Sequence, residues 1–197
     1  MSIAIIPGVD EAGRGPLAGP VVAGAVALMG ADIAGLADSK KLSAKRRAAL
    51  EGEIKAQALW AVGVVEAEEI DRINIFAATM KAMALAMAGL AAQLPQAPQL
   101  VLIDGNKTPE GRTPGWIWPA RAIVGGDATE PAISAASIIA KQHRDAIMAE
   151  LARAHPAYGW QRNAGYGTAE HLAALSAHGP TVHHRRSFGP VAQLRLL

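Results

Sequence analysis

The 197-residue chain is 51% apolar, carries a net charge of only +2, has 4% aromatic residues and contains no cysteine. That composition excludes a disordered chain and rules out disulfide frameworks, zinc–thiolate sites and cysteine nucleophiles. It leaves alanine, valine and leucine to fill a core of one-domain size.

In chain order, residues 3–9 read as a short buried strand and 21–28 as a second. Between them Asp10 to Pro20 is dense in Gly and Pro, so a hairpin with a long shaped loop is expected. Ser43 reads as the N-cap of a helix to about residue 58. Residues 59–65 suit a strand, and the acidic stretch 66–71 opens another helix. Ile73, Ala77, Met80, Ala84, Met87 and Leu90 repeat at helical spacing, which predicts a long helix over about 74–93 with its methionines in the core. Residues 100–103 form a strand that ends in the turn Asp104, Gly105, Asn106. Another strand lies within 116–124. A helix spans 130–154, and a last one runs from a Thr168 cap to a stop at Gly179 and Pro180. Strands followed by alternating strands and helices imply an α/β layer fold in a single domain over 1–197. The basic, histidine-rich end from about residue 155 is expected to form a small helical lobe. No basic apolar leader opens the sequence. The most apolar stretch, 15–30, is too short and too rich in Gly and Pro to span a bilayer. The expectation is a cytoplasmic protein with no membrane association, acting as a monomer.

Four carboxylates stand out. Asp10 and Glu11 follow the first predicted strand, Asp104 follows the one at 100–103, and Asp127 follows the one within 116–124 after two glycines. The ends of strands are where α/β sheets carry their sites, and neighbouring strands lie ~4.8 Å apart, close enough for such groups to converge. Clustered carboxylates raise one another's pKa until a cation neutralises them, and all-oxygen ligands suit Mg²⁺ or Mn²⁺. Two such ions ~4 Å apart serve phosphodiester hydrolysis. Each acid alone also has a plain structural reading: a solvated turn for Asp10 and Glu11, a β-turn for Asp104, a helix cap for Asp127. Composition and spacing leave both readings open.

Local sequence narrows the choice. The run from Gly8 through Asp10, Glu11, Ala12, Gly13, Arg14, Gly15 and Pro16 to Val22 resembles the opening of type 2 ribonuclease H, bacterial ribonuclease HII. Further blocks follow in that family's order: residues 38–43, 70–75 and 103–106, then 133–141, 163–168 and 179–188. The resemblance covers nearly the whole chain. It implies a ribonuclease H-like fold, with a mixed central sheet flanked by helices and a C-terminal helical extension. It also implies an endonuclease that cuts the RNA strand of RNA–DNA hybrids, and cuts 5′ to ribonucleotides embedded in duplex DNA, supporting removal of misincorporated ribonucleotides and RNA primers.

The implied ligands of a two-ion Mg²⁺ or Mn²⁺ site are Asp10, Glu11, Asp104 and Asp127. Gly13, Arg14 and Gly15, with Tyr166, are implied to recognise the ribonucleotide. The physics agrees, because glycines let backbone amides approach a ligand and the 2′-hydroxyl tells RNA from DNA. Lys40, Lys41 and Arg186 are candidate phosphate contacts, whereas Arg46 and Arg47 read as a solvated helix face. Arg185 reads as a substrate contact or the partner of a buried acid. His171 reads as structural, and His183 and His184 as surface or packing residues ahead of a metal-binding pair. One departure is visible: the family usually carries Lys where this chain has Gly125, next to the last ligand. A non-catalytic nucleic-acid-binding protein and a DNA-directed nuclease of the same fold are the rivals. The complete acidic set argues against the first and the loop with Tyr166 against the second.

Overall fold

A computed structural model describes residues 4–36 and 42–194. The chain runs through β1 (Gly8–Ala12), β2 (Val21–Ala27), α1 (Ala44–Gln57), β3 (Leu59–Val65), α2 (Ala67–Ile73), α3 (Ile75–Ala91), β4 (Val101–Asp104) and β5 (Ala120–Ile123). It continues through α4 (Gly126–Thr129), α5 (Pro131–Ala154), a 3₁₀ turn at Pro156–Tyr158, α6 (Trp160–Asn163), α7 (Ala169–His178) and α8 (Gly189–Gln193). The five strands form one mixed sheet in the order β3-β2-β1-β4-β5. Strands β1, β2 and β3 pair antiparallel, and β4 and β5 run parallel to β1. This is a ribonuclease H-like arrangement.

The helix starts obey local chemistry. Ser43 Oγ accepts from the Arg46 amide at 3.2 Å. Asn74 Oδ1 accepts from the Phe76 and Ala77 amides at 3.0 and 3.1 Å. Pro131 occupies the first turn of α5, where its missing N–H costs nothing. Thr168 Oγ1 accepts from the His171 amide.

Side chains alternate across the sheet. One face packs on α3, where Met83, Met87 and Leu90 are buried with Val9, Ala23, Ala25 and Ile103. The methionine run is core, as its spacing predicts; each such side chain contributes about 1.5–3 kcal/mol on burial. The other face packs on α5, with Val26 against Ala135 and Ile139. This second contact is very close. A Cβ at Gly8 would lie 2.2 Å from the Ala132 carbonyl carbon, and one at Gly24 would lie 2.4 Å from the Ala136 oxygen. A third cluster joins Leu17 and Ala18 of the β1–β2 loop to Met148, Tyr158, Trp160 and Leu175. Among the described residues no helix is long and apolar enough to cross a membrane.

The first strand departs from the sequence reading. It begins at Gly8 and continues through Asp10 and Glu11 to Ala12, because pairing with β2 persists to Ala12 opposite Val22. Asp10 and Glu11 therefore lie inside the strand, not beyond it. Helices α4, α6 and α8, of four or five residues each, are too short for a helical period to register in sequence.

Gly24→Ala is expected to lower stability by ~1–3 kcal/mol through overpacking against the α5 backbone. A urea midpoint within error of the parent would show that α5 can move away.

Candidate active site

Asp10 sits in mid-strand opposite Gly24 and is 5% exposed. Gly8 and Val9 are in register with Leu102 and Ile103 of the parallel strand β4. By alternation the next residues, Asp10 and Asp104, emerge side by side on the face that α5 covers. The Asp10 carboxylate accepts from the Glu11 amide at 2.7 Å and from the Ser137 side chain on α5. Burial, then the charges of Glu11 and Asp104, push its pKa up to about 8 despite those bonds. Asp104 Oδ1 accepts from the Asp127 amide at 3.3 Å, which links β4 to α4. Asp127 is buried, and its carbonyl accepts from Ser134 Oγ at 2.5 Å. Glu11, one residue beyond Asp10, leans the other way and accepts from Arg14 Nη1 at 3.1 Å.

This donor set fits a divalent cation. It offers only hard oxygens, and Asp10, raised first by burial and then by the charges of Glu11 and Asp104, has like-charged neighbours whose repulsion a cation would relieve. Among the described residues no three such side chains are drawn into a closed coordination shell. Like charges stand apart until a cation draws them together.

Two recesses flank Glu11 and Arg14. One is lined by Gly13, Gly15, Arg47, Lys141 and Tyr166, the other by Phe76, Met80, Asp104, Asn106 and Lys107. Gly13 is required by the fold: its φ is +92°, and a Cβ there would lie 2.0 Å from Arg144 Nε. Gly15 is not so constrained, because its Cβ would meet only Tyr166 Cε1, at an ordinary 3.5 Å. Gly15 thus lies beside the Tyr166 ring, with room between them for no more than a methyl group.

Tyr166 is 49% exposed, with its backbone tightly held. Its amide donates to the Asn163 carbonyl at 2.9 Å. Its carbonyl faces His171 Nδ1 at 2.9 Å. The tautomers follow from partners whose roles are fixed. The Thr181 amide donates to His184 Nδ1 at 2.9 Å, so the proton of neutral His184 is on Nε2 and points to His171 Nε2, 3.0 Å away. Trp160 Nε1 also donates to that atom, at 3.1 Å. His171 then carries its proton on Nδ1 and donates it to the Tyr166 carbonyl. Burial, then the neighbouring histidines, holds His184 down to about 3, and burial likewise lowers His171, in keeping with neutral rings. Both histidines are packing residues of the lobe.

Glu11 and Arg14 border both recesses, Tyr166 lines the first and Asp104 the second, while Asp10 and Asp127 line neither. Lys40 and Lys41 lie outside the described residues. Arg186 is exposed and lines a separate recess with Glu68 and Asp71; its amide donates to Asp71 Oδ2 at 2.8 Å. Arg47 is not simply solvated, since it lines the first recess and donates Nη1 to the Leu42 carbonyl at 2.6 Å. Among the described residues Arg185 pairs with no acid, and it donates to three backbone carbonyls. Ser137, Lys141 and Arg144 also line the first recess and escaped the sequence reading. Their spacing of four and three residues on one helix is the signal that could have found them. Gly125 occupies the left-handed region at φ +69° with open space around its Cβ position, so the loop beside Asp127 is formed without a lysine.

Residues 7–191 match the sequence profile of the family described as Ribonuclease HII. The chain is 69% identical to Ribonuclease HII of Novosphingobium aromaticivorans over 192 residues, covering 96% of this chain and 98% of that one. Its fold is similar to that of the crystal structure of ribonuclease H2 from Pyrococcus horikoshii, with TM-score 0.77, 24% identity and coverage of 98% and 97%. It is also similar to Bst-RNase HIII in complex with Mn²⁺, with TM-score 0.80, 18% identity and coverage of 98% and 70%.

The Asp10 shift carries a stability signature. Its folded pKa, about 8, exceeds the unfolded 3.8, so this stability is fully present below the unfolded value and is lost as pH rises through the folded one. In chelator, Asp10→Asn is expected to melt increasingly above the parent as pH rises from about 4 to about 9, and Mg²⁺ should shrink the gap. A gap that stays constant with pH, read by calorimetry, would contradict the raised pKa.

Proposed function

The chain belongs to the ribonuclease HII family, and on that footing we propose that it cuts the RNA strand of RNA–DNA hybrids and cleaves 5′ to single ribonucleotides in duplex DNA. Family membership makes it a metal-dependent ribonuclease H hydrolase. The observation that carries the finer reading is the buried Asp10, which feels the charges of Glu11 and Asp104, next to a recess lined by Glu11, Gly13, Arg14, Gly15 and Tyr166.

Asp10, Glu11, Asp104 and Asp127 would hold two divalent cations, Mg²⁺ or Mn²⁺. When bound, these supply a more acidic water and neutralise charge building on a phosphodiester. Asp10 is held by the Glu11 amide and by Ser137, and it would be one of the ligands of the cations. The Asp127 amide steadies Asp104, so these two acids act as one rigid edge. Glu11 exchanges its bond to Arg14 for the site, which frees the guanidinium to meet a phosphate. Water adds in line to phosphorus and the 3′ oxygen of the upstream nucleotide leaves, giving a 3′-hydroxyl and a 5′-phosphate. No histidine base is needed. Tyr166, beside Gly15 in the lining of the first recess, is the surface on which the ribose would rest. Lys40 and Lys41 are assigned to outer phosphates on sequence grounds, and any phosphate that Arg186 reaches lies outside the cleft. The segment from about residue 155 belongs to the same single domain as a helical lobe, a reading supported by its shared core with Leu17 and Ala18.

The direct experiment uses a duplex with one embedded ribonucleotide, an RNA–DNA hybrid and an all-DNA control, each with Mg²⁺, Mn²⁺ or chelator. Cleavage should require the metal and the ribonucleotide, and equal cutting of all-DNA would refute the selection. Asp10→Asn is expected to abolish cleavage while hybrid binding persists; undiminished turnover would remove Asp10 from the chemistry. Gly13→Ala should destabilise the fold by ~1–3 kcal/mol. Gly15→Ala should melt within ~0.5 kcal/mol of the parent yet raise KM for the ribonucleotide duplex, and an unchanged KM would show that the Gly15 surface of the recess is not used.

A further inference from the structure

Two arginines are buried with no carboxylate at salt-bridge distance among the described residues: Arg144 at 1% exposure and Arg185 at 0%. All six of their hydrogen bonds go to main-chain carbonyls. Arg144 holds Pro20 and Ala18 at 3.0 and 3.2 Å and Ala164 at 3.1 Å. Arg185 donates Nε to Gly19 at 2.9 Å, Nη1 to Arg14 at 2.9 Å and Nη2 to Gly13 at 2.6 Å. The guanidinium also lies over the Phe188 ring at 5.1 Å, which fixes its plane. Backbone pairing brings it there: the Arg185 amide donates to Leu17 and the Gly19 amide to His183, at 2.8 and 2.9 Å, beside the Ala18–His184 bridge.

The consequence follows from peptide geometry. No peptide bond here is cis, and across a trans peptide the carbonyl and the next N–H point in opposite directions. With the Gly13 carbonyl turned onto Arg185, the Arg14 amide points away from it; with the Arg14 carbonyl turned inward, so does the Gly15 amide. Arg14 and Gly15 are exposed and line the cleft. Among the described residues neither amide donates to a protein acceptor. Burying a cation on carbonyls alone carries a desolvation cost that an apolar residue would avoid, so filling the core does not explain the choice. A planar fork that reaches three carbonyls at once is what arginine offers and lysine does not.

We propose that Arg185 is a positioning residue for ribonucleotide selection: by holding the Gly13 and Arg14 carbonyls inward, it presents the Arg14 and Gly15 amides as a donor pair to the ribose 2′-hydroxyl and the adjoining phosphate. The inference rests on the cleft reading given above. Arg185 itself touches no substrate. Its effect is on selection, which a merely structural arginine would leave alone.

The test is made in full-length Asp10→Asn protein with Mg²⁺, by measuring Kd for a duplex with one embedded ribonucleotide and for the same duplex all in DNA. Arg185→Lys keeps the charge and loses the fork. It is expected to cut the preference for the ribonucleotide by ~10-fold or more, the scale of one to two lost hydrogen bonds, with all-DNA affinity little changed. Tyr158→Phe, which removes the buried bond to the Gly179 carbonyl, supplies a destabilised control whose preference should persist. A preference that survives Arg185→Lys overturns the proposal alone. Absence of any preference in the Asp10→Asn parent overturns the cleft reading, and the proposal with it. A second measurement needs no Arg185 variant: the Arg14 and Gly15 amide resonances of Asp10→Asn protein should shift on adding the ribonucleotide duplex and not on adding its all-DNA match. Equal shifts with both, or none, count against the donor pair.

Discussion

Helix α5 lies on β1 and β2 at a separation that only a bare Cα allows, since a methyl at Gly8 or Gly24 would strike its backbone. Much of the site depends on that approach. It brings Ser137 onto Asp10 and seals the carboxylate from solvent. One turn further on it sets Lys141 along the cleft, and beyond that it slides Arg144 beneath the β1–β2 loop. A bulkier hairpin would hold the helix away, expose Asp10 and withdraw all three side chains together. The packing of small residues here is therefore a functional requirement as much as a structural one.

The cleft joins two opposite solutions to burying charge. Asp10 is buried beside other acids, and burial first, then the charges of Glu11 and Asp104, push its pKa up to about 8. Beside them, two guanidiniums are buried with only main-chain carbonyls as hydrogen-bond acceptors among the described residues, and burial draws the Arg185 pKa down to about 9, with Arg144 adding to the fall. Negative charge lines the place where cations belong, and positive charge supports the loop that faces a polyanion. An exposed carboxylate paired directly with Arg144 or Arg185 would neutralise the arrangement and release the loop carbonyls they hold.

Much of this was legible in the sequence because it is local. Strand β3 and the Ser43 and Thr168 caps follow from short-range periodicity and capping chemistry. The four acids stood out as residues flanking strands, and the family resemblance tied them together. What sequence missed is long-range. Asp10 looked like a loop residue because a buried carboxylate inside a strand contradicts propensity, and tertiary pairing overrode it. Arg47 looked solvated because nothing local turns it towards the cleft. Arg185 invited an acidic partner, the usual company of a buried cation, and its true acceptors are carbonyls, which no sequence pattern marks.

The bonds from Arg185 to Gly13, Arg14 and Gly19 link residues 166 to 172 positions apart. During synthesis from the N-terminus, all four acids exist once Asp127 is made, and α5 closes over them by Ala154. The clamp on the Gly13–Gly15 turn arrives only with residue 185. Contacts of such separation form late, after the loop entropy of the intervening chain has been overcome. On the proposed reading, the acids for hydrolysis and the clamp for selection are encoded at different times along one polypeptide, with the clamp last. A nascent or truncated chain ending before that arginine carries the whole acidic set and an unanchored selector.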